Sequence, residues 1–357
     1  MQPTPFDVLR ARRAGTASDG HRVALVVEGG CMRGVIAAGA VTALDHLGLA
    51  QRFDAVYGVS AGALNAAYML AGQAALGTSI YFEDLPAARF LSRRRILVGR
   101  RPMALDYTID EIVACRKRLD VTAVRAAAPE FHVLATCLEH RSLHRPHGLL
   151  LEQLRAAARV PLLSGPPVRL NGCRLYDGGL LEPLPVDLAL QDGATHLVVL
   201  RTRPDSPIVM RHRHVEQAML AWLRRAHPET RSMPVVPRDR YERQLAALPA
   251  GVTSRGDAVV QVLVPAGPTI SQSEMDPETL RAGAWMGLAT VEDAANETID
   301  RAVLHAHGWR QPQEREADSW VRARTASREG IAKQTASAAR DATALIVNAP
   351  VKPDSAG

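Results

Sequence analysis

The chain has 357 residues, 47% hydrophobic but only 4% aromatic, and its 43 Lys and Arg against 37 Asp and Glu leave a formal charge of +6. That length and a core of Ala, Leu and Val suit one large α/β domain, and no Pro/Ser-rich linker divides the chain. Cysteines at 31, 115, 137 and 173 show neither metal-ligand spacing nor disulfide-framework density, and no apolar run is long enough for a signal-peptide core or a membrane span, so a reduced, cytoplasmic protein without metal or cofactor is expected.

The first predicted strand, Val23 to Val27, runs into a glycine-rich turn, Gly29-Gly30-Cys31-Met32-Arg33-Gly34, that opens a helix over 35–47 with Gly48 as its stop signal. Three readings of that turn compete. A dinucleotide fingerprint needs a glycine where Cys31 stands, and a P-loop needs Lys then Ser or Thr where Val35 and Ile36 stand. The N–H groups of a turn at a helix start also hold an oxyanion, and that reading fits best because the second strand leads to a serine. Residues 55–66, AVYGVSAGALNA, form a strand over 55–59 that enters Gly58-Val59-Ser60-Ala61-Gly62 and leaves through a helix over 61–72. This is the form of a nucleophile elbow, in which Gly58 and Gly62 clear space for a sharp turn that projects the Ser60 hydroxyl. Two parallel strands joined through the first helix would bring both turns to one sheet edge.

After a mostly helical stretch to about residue 128, the pattern predicts strand 131–137, helix 150–158, strand 173–176, helix 184–191 and strand 196–201. An Arg-rich insertion extends from there to about 257, then strand 259–264 and a long helix from about 277 to 305. Strands alternating with helices imply a mostly parallel sheet covered on both faces. The chain divides into an N-terminal arm (1–20), a domain (21–310) and an Ala-, Arg- and Ser-rich tail (311–357) expected to be a peripheral helix with a disordered end. A serine nucleophile needs a base, and the candidate is Asp177, at a strand end before Gly178 and Gly179. On those residues alone, Asp177-Gly178 reads more readily as an ordinary turn pair.

EGGCMRG, GVSAG and YDGG, in that order, resemble the patatin-like phospholipase family, and the blocks AAARVPLLSGPPVRLNG and TISQSEMDPETLRAGAWMGL extend the likeness over about residues 20–305. The resemblance implies a three-layer α/β/α fold with a mostly parallel central sheet and helical insertions. It also implies a carboxylic ester hydrolase acting on lipids, with Ser60 as nucleophile, Asp177 as base, and Gly29, Gly30, Cys31, Met32, Arg33 and Gly34 as the oxyanion turn, Arg33 orienting the loop. Asp177 should then be partly desolvated, since a carboxylate near its usual pKa of about 3.9 is a poor base for serine. The chain departs from the family's pattern at Cys31, where a third glycine is usual, and at Ala157 and Pro183, where many relatives have Ser and Asn. A cysteine forced to positive φ costs on the order of 1 kcal/mol and can misalign a donor. The changes at 157 and 183 are expected to touch packing more than chemistry. Two alternatives stand beside the dyad: a Ser-Asp-His triad drawing on His196, His212, His214 or His227, and a catalytically silent module that binds lipid or a protein partner.

Positive charge concentrates in RFLSRRRILVGRRP from Arg89 and RHRHVEQAMLAWLRRAH from Arg211. In the second, Val215, Met219, Trp222 and Leu223 share a helical face able to lie on an anionic membrane, although packing on the core is the preferred reading. Both insertions are candidates for a lid and an acyl pocket. No motif or aromatic platform points to nucleic acid, and no feature sets the oligomeric state.

Overall fold

The computed structural model describes residues 2–15, 19–87, 90–92, 94–204, 213–233 and 238–310; the expected tail lies outside the described residues. Nine strands make one sheet: β1 (Val23–Val27), β2 (Ala55–Val59), β3 (Glu130–Cys137), β4 (Ser142–His144), β5 (Val168–Leu170), β6 (Cys173–Asp177), β7 (His196–Leu200), β8 (Gly251–Arg255) and β9 (Ala258–Leu263). Their order is β5-β6-β3-β2-β1-β7-β9-β8, with β4 paired to β3. The five central strands, β3-β2-β1-β7-β9, run parallel, as expected, and Val27 at the end of β1 pairs with Gly58 on one side and Leu200 on the other.

β1, β2 and β7 are buried at every position, because unbroken apolar runs are the pattern of strands covered on both faces. On one face, Ala24, Val26, Ala55 and Tyr57 belong to a cluster with Val186 and Ala189 of the helix Val186–Gln191 and with Tyr241 and Leu248. Side chains alternate along a strand, so Gly58 faces the other way. There α3 (Ala61–Leu70) passes so close that a Cβ on Gly58 would lie 2.5 Å from Ala63 Cα. α2 (Val35–His46) ends as the sequence predicts: Gly48 takes φ 68 and Leu49 N–H reaches back to Leu44 O at 2.9 Å.

Several features depart from expectation, among them the three-residue β4, where no strand is expected. The segment expected as an arm contains α1 (Pro5–Arg13), started by a Thr4–Asp7 capping box and buried at Phe6, Val8 and Leu9. The helix expected over 277–305 stops at Ala295, where Asn296 turns left-handed at φ 52, and restarts at Arg301 under an Asp300 cap. β8 alternates half-buried and exposed positions, so GVTSR has no apolar run to betray it. β5 is three residues long, yet its hairpin to β6 turns on Asn171-Gly172, both at positive φ, and an Asn-Gly pair is a hairpin signal legible in the sequence. The helix Arg213–Ala226 agrees with the preferred reading: Leu223 is buried and Met219 and Trp222 are partly so, against Leu138, Tyr176 and Leu180. His212 and the side chains of His214 and Val215 lie outside the described residues.

The helix Pro277–Ala295 crosses α2 at glycines: a Cβ on Gly39 would lie 1.8 Å from Ala284 O, and one on Gly287 1.8 Å from Ile36 O. Gly39→Ala must push the two helices apart, and overpacking of this kind costs about 1–3 kcal/mol. Urea unfolding should show a lower midpoint with an unchanged slope; an unaltered midpoint would contradict the contact.

Candidate active site

β2 ends at Val59, Ser60 takes φ 54 and ψ −131, and α3 begins at Ala61. A non-glycine residue held there costs on the order of 1–3 kcal/mol and persists only when its surroundings over-determine it. They do so through close approach. A Cβ on Gly62 would stand 2.3 Å from Val27 O, and one on Gly29 would stand 2.7 Å from both Ser60 Cβ and Val59 O. The turn after β1 and the turn after β2 therefore interlock, and the positive end of the α3 dipole lies at Ser60.

In the glycine-rich turn Gly30 has φ 149 and Cys31 has φ 54, the left-handed region that a third glycine would occupy without strain. Met32 N–H donates to Gln272 O (3.3 Å) and Arg33 N–H to Gly30 O (3.1 Å), so these two of the expected oxyanion donors are spent within the fold. Among the described residues no acceptor engages the N–H of Gly29, Gly30 or Cys31. Gly34 is closely packed: a Cβ there would lie 2.8 Å from Ala61 Cβ and from the Tyr81 hydroxyl.

A buried polar network fixes this turn from behind. Arg33 Nε donates to Thr202 Oγ1 (3.0 Å), Thr202 Oγ1 to Gly29 O (3.2 Å) and Thr202 N–H to the Glu28 carboxylate (2.6 Å), which also accepts from the Tyr241 hydroxyl. Burial holds the Arg33 guanidinium below the usual arginine range, with Glu28 3.9 Å away as its counter-charge. On the other side Asn65 Nδ2 donates to Gly34 O (2.9 Å), and Asn65 Oδ1 accepts from the Tyr81 hydroxyl (3.1 Å). Glu28 and Asn65 escape a reading of the sequence, although each is a lone polar residue closing or interrupting an apolar run.

Asp177, at the end of β6, is 7% exposed. Antiparallel pairing of β6 with β3 (Ala135↔Asp177) carries it to this edge. Its backbone is held on both sides: its N–H donates to Arg159 O (2.8 Å) and its carbonyl accepts from Thr136 Oγ1 (2.9 Å). A Cβ on Gly178 would lie 2.6 Å from Leu134 O, so the turn too admits only glycine. The carboxylate accepts from Gly179 N–H (2.8 Å), and the Ser60 side chain lies close enough to favour its charged form. Burial nevertheless pushes its pKa up to about 6, outweighing the opposing effects of Ser60 and Gly179. The Cys31 thiol, raised to about 12 chiefly by burial and further by Asp177, stays neutral beside it.

Ser60 and Cys31 line a cleft whose empty space, open solvent included, is about 620 Å³. Its other walls are largely apolar, with Leu64, Ile80, Leu85, Phe90, Met103 and Leu105, most of them from the first insertion. Two π-helical stretches, Ile80–Asp84 and Thr108–Arg116, contribute to it. No described residue of the second insertion lines it, and neither do Arg33, Ala157 or Pro183. Nor does any described histidine: His196 meets Pro3 O (3.1 Å) at the opposite sheet edge, and His227 packs on Tyr176 and Trp222. Cys137, His140 and Cys173 bring potential metal-ligand atoms within 4.8 Å of one another, a grouping across β3 and β6 that local spacing could not reveal. Burial, reinforced by Cys137, raises the Cys173 thiol to about 12, and none of the three lines the cleft.

Over 191 residues the chain is 29% identical to the uncharacterized protein YjjU of Escherichia coli K12, an alignment covering 51% of this chain and 52% of that protein. The chain thus spans about half the length of the curated relative it matches. Similar solved structures include VipD of Legionella pneumophila (TM-score 0.39, 13% identity, 77% of this chain and 67% of that one). Human GIVD cytosolic phospholipase A2 in complex with methyl gamma-linolenyl fluorophosphonate is another (TM-score 0.38, 14% identity, 85% and 61%). The family described as patatin-like phospholipase matches residues 25–190, the segment that holds both interlocked turns, Ser60 and Asp177. Over that segment the chain is similar to the patatin-like phospholipase family.

Proposed function

We propose that the protein is a serine acyl hydrolase that cleaves carboxylic esters of lipids through a Ser60–Asp177 dyad. The observation that carries this reading is a buried carboxylate beside a serine on a strained turn, at an apolar cleft, with three backbone N–H groups nearby that no described residue engages. Ser60 Oγ attacks the ester carbonyl carbon while its proton passes to Asp177. The carbonyl oxygen becomes an oxyanion facing the N–H groups of Gly29, Gly30 and Cys31. Collapse breaks the ester bond, and the departing alcohol takes the proton from Asp177. Water then attacks the acyl-enzyme with Asp177 again as base, and the Ser60 hydroxyl is regenerated as the fatty acid leaves. A base near pH 6 suits this role better than one near 4, because its driving force for taking the serine proton is greater. The apolar walls match an acyl chain, and Arg33, committed to Thr202, supports the loop.

One observation favours the silent module: Cys31 occupies a left-handed position in the donor turn. Hydrolysis of a p-nitrophenyl ester series separates the two readings. Ser60→Ala and Asp177→Asn, both folded by circular dichroism, should each lose on the order of a thousandfold in kcat/KM; wild-type rates in either variant would refute the dyad. If wild type is inert on every ester and Cys31→Gly does not rescue it, the silent module stands. Cys31→Gly should also gain about 1 kcal/mol of stability, read from denaturant unfolding, by relieving the positive φ.

The raised carboxyl sets two pH effects. The base must be ionised, so kcat/KM should climb through about pH 6 and level off above it; a flat profile between pH 5 and 7 would contradict Asp177 as base. For stability the sign is opposite. A folded pKa of about 6 lies above the unfolded value of about 3.9, so the favourable contribution is full below that lower value and lost as pH rises through the folded one. Asp177→Asn should therefore be more stable than wild type at neutral pH, by roughly 2 kcal/mol, and indistinguishable from it near pH 4.

A further inference from the structure

Phe90 and Met103, both in the cleft wall, are the roots of an excursion of the first insertion. Leu91 bridges Met103, Ser92 N–H donates to Pro102 O (2.9 Å) and Ala104 N–H to Phe90 O (2.9 Å), so the two flanks form a short antiparallel stalk. Beyond it come one helical turn, Arg94–Leu97, and a reversal at Gly99 with φ 70, closed by Arg95 Nε on Arg101 O (2.9 Å). At this tip Ile96, Leu97 and Val98 are 57%, 85% and 69% exposed. Single exposed aliphatics are ordinary on protein surfaces; three in succession on a projecting tip are not. Arg94, Arg95, Arg100 and Arg101 flank them, none in an ion pair among the described residues, and residues 85–105 contain no Asp or Glu to neutralise them.

Aliphatic side chains ringed by unpaired guanidinium groups complement the headgroup layer of an anionic bilayer, where the chains enter the acyl boundary and the cations meet phosphates. An acidic protein groove would satisfy the arginines, but the position of the stalk favours the bilayer, because its roots are walls of the apolar cleft. We propose that the Arg94–Arg101 tip docks the protein on an anionic phospholipid surface and sets the cleft against it. What then enters the cleft rests on the hydrolase reading; docking itself needs no chemistry. The second basic segment is less suited to this role, since Leu223 and its neighbours are already packed on the domain.

The test is flotation of the full chain with vesicles of phosphatidylcholine alone or mixed with phosphatidylglycerol, in a Ser60→Ala background that leaves the lipid intact. Wild-type tip sequence should bind the anionic vesicles and be released by salt. Ile96→Ser with Leu97→Ser should weaken partitioning about tenfold or more, and each of Arg94→Gln, Arg100→Gln and Arg101→Gln roughly fivefold. With Ser60 restored, the tip variants should hydrolyse a soluble short-chain ester at the wild-type rate while losing hydrolysis of vesicle lipid. Vesicle binding by a protein inert on every ester would sustain docking and sink the hydrolase; soluble-ester activity without vesicle binding would do the reverse. Tip variants that float like wild type, or that lose a dimer in gel filtration while vesicle binding persists, would overturn the proposal.

Discussion

A methyl group on Gly29 would stand 2.7 Å from the Ser60 Cβ, and one on Gly62 would stand 2.3 Å from the carbonyl of Val27. The close approach of these two turns is the constraint on which the site depends. Parallel pairing of β1 with β2 sets them side by side at one edge of the sheet, and glycine lets the backbones meet. Once they meet, Ser60 is held in a conformation it would not adopt alone, beside Asp177. Glu28, Arg33, Thr202 and Tyr241 tie the rear of the first turn to the strand end of β7, while Asn65 and Tyr81 tie its far end to α3. The strain at Ser60 and Cys31 is thus opposed by burial and by polar groups that leave the turn few alternatives.

Burial has a second consequence. Enclosing Asp177 opposes its ionisation, which costs stability at neutral pH, and the same enclosure makes the carboxylate a stronger base. The Cys31 thiol is kept neutral by the same environment, which leaves it a poor nucleophile. The first insertion then supplies apolar walls, and its outermost residues carry aliphatic and cationic groups away from the core. The second insertion is spent differently: Tyr241 reaches Glu28 behind the turn, and Leu223 caps the packing around Tyr176.

How much of this the sequence reveals depends on how local each signal is. β1, β2 and β7 are legible because unbroken apolar runs announce strands buried on both faces, and Ser60 is legible because its neighbours at 58 and 62 must be glycine. Asp177 is visible only as a turn residue; its role depends on antiparallel pairing with β3 and on burial, neither of which is written near it. β8 and β5 are an edge strand and a short hairpin arm with little apolar alternation, although Asn171-Gly172 carries the hairpin signal. The buttress around Arg33 joins residues up to 213 positions apart, and no periodicity encodes that. Nor does the motif Gly29 to Gly34 show which of its N–H groups are free: those of Met32 and Arg33 face Gln272 and Gly30, a partition set by a loop more than two hundred residues downstream and by the local turn.

The central claim is that Ser60 is a nucleophile activated by Asp177, and covalent labelling tests it most directly. The folded protein would be treated with a serine-reactive alkyl fluorophosphonate at several pH values and the adduct located by peptide mass spectrometry, for wild type beside Asp177→Asn. The account predicts one adduct on Ser60, forming faster as pH rises through about 6 and strongly slowed in Asp177→Asn. Well-folded protein that stays unlabelled, carries the adduct on another residue, or reacts equally fast without Asp177 would contradict it.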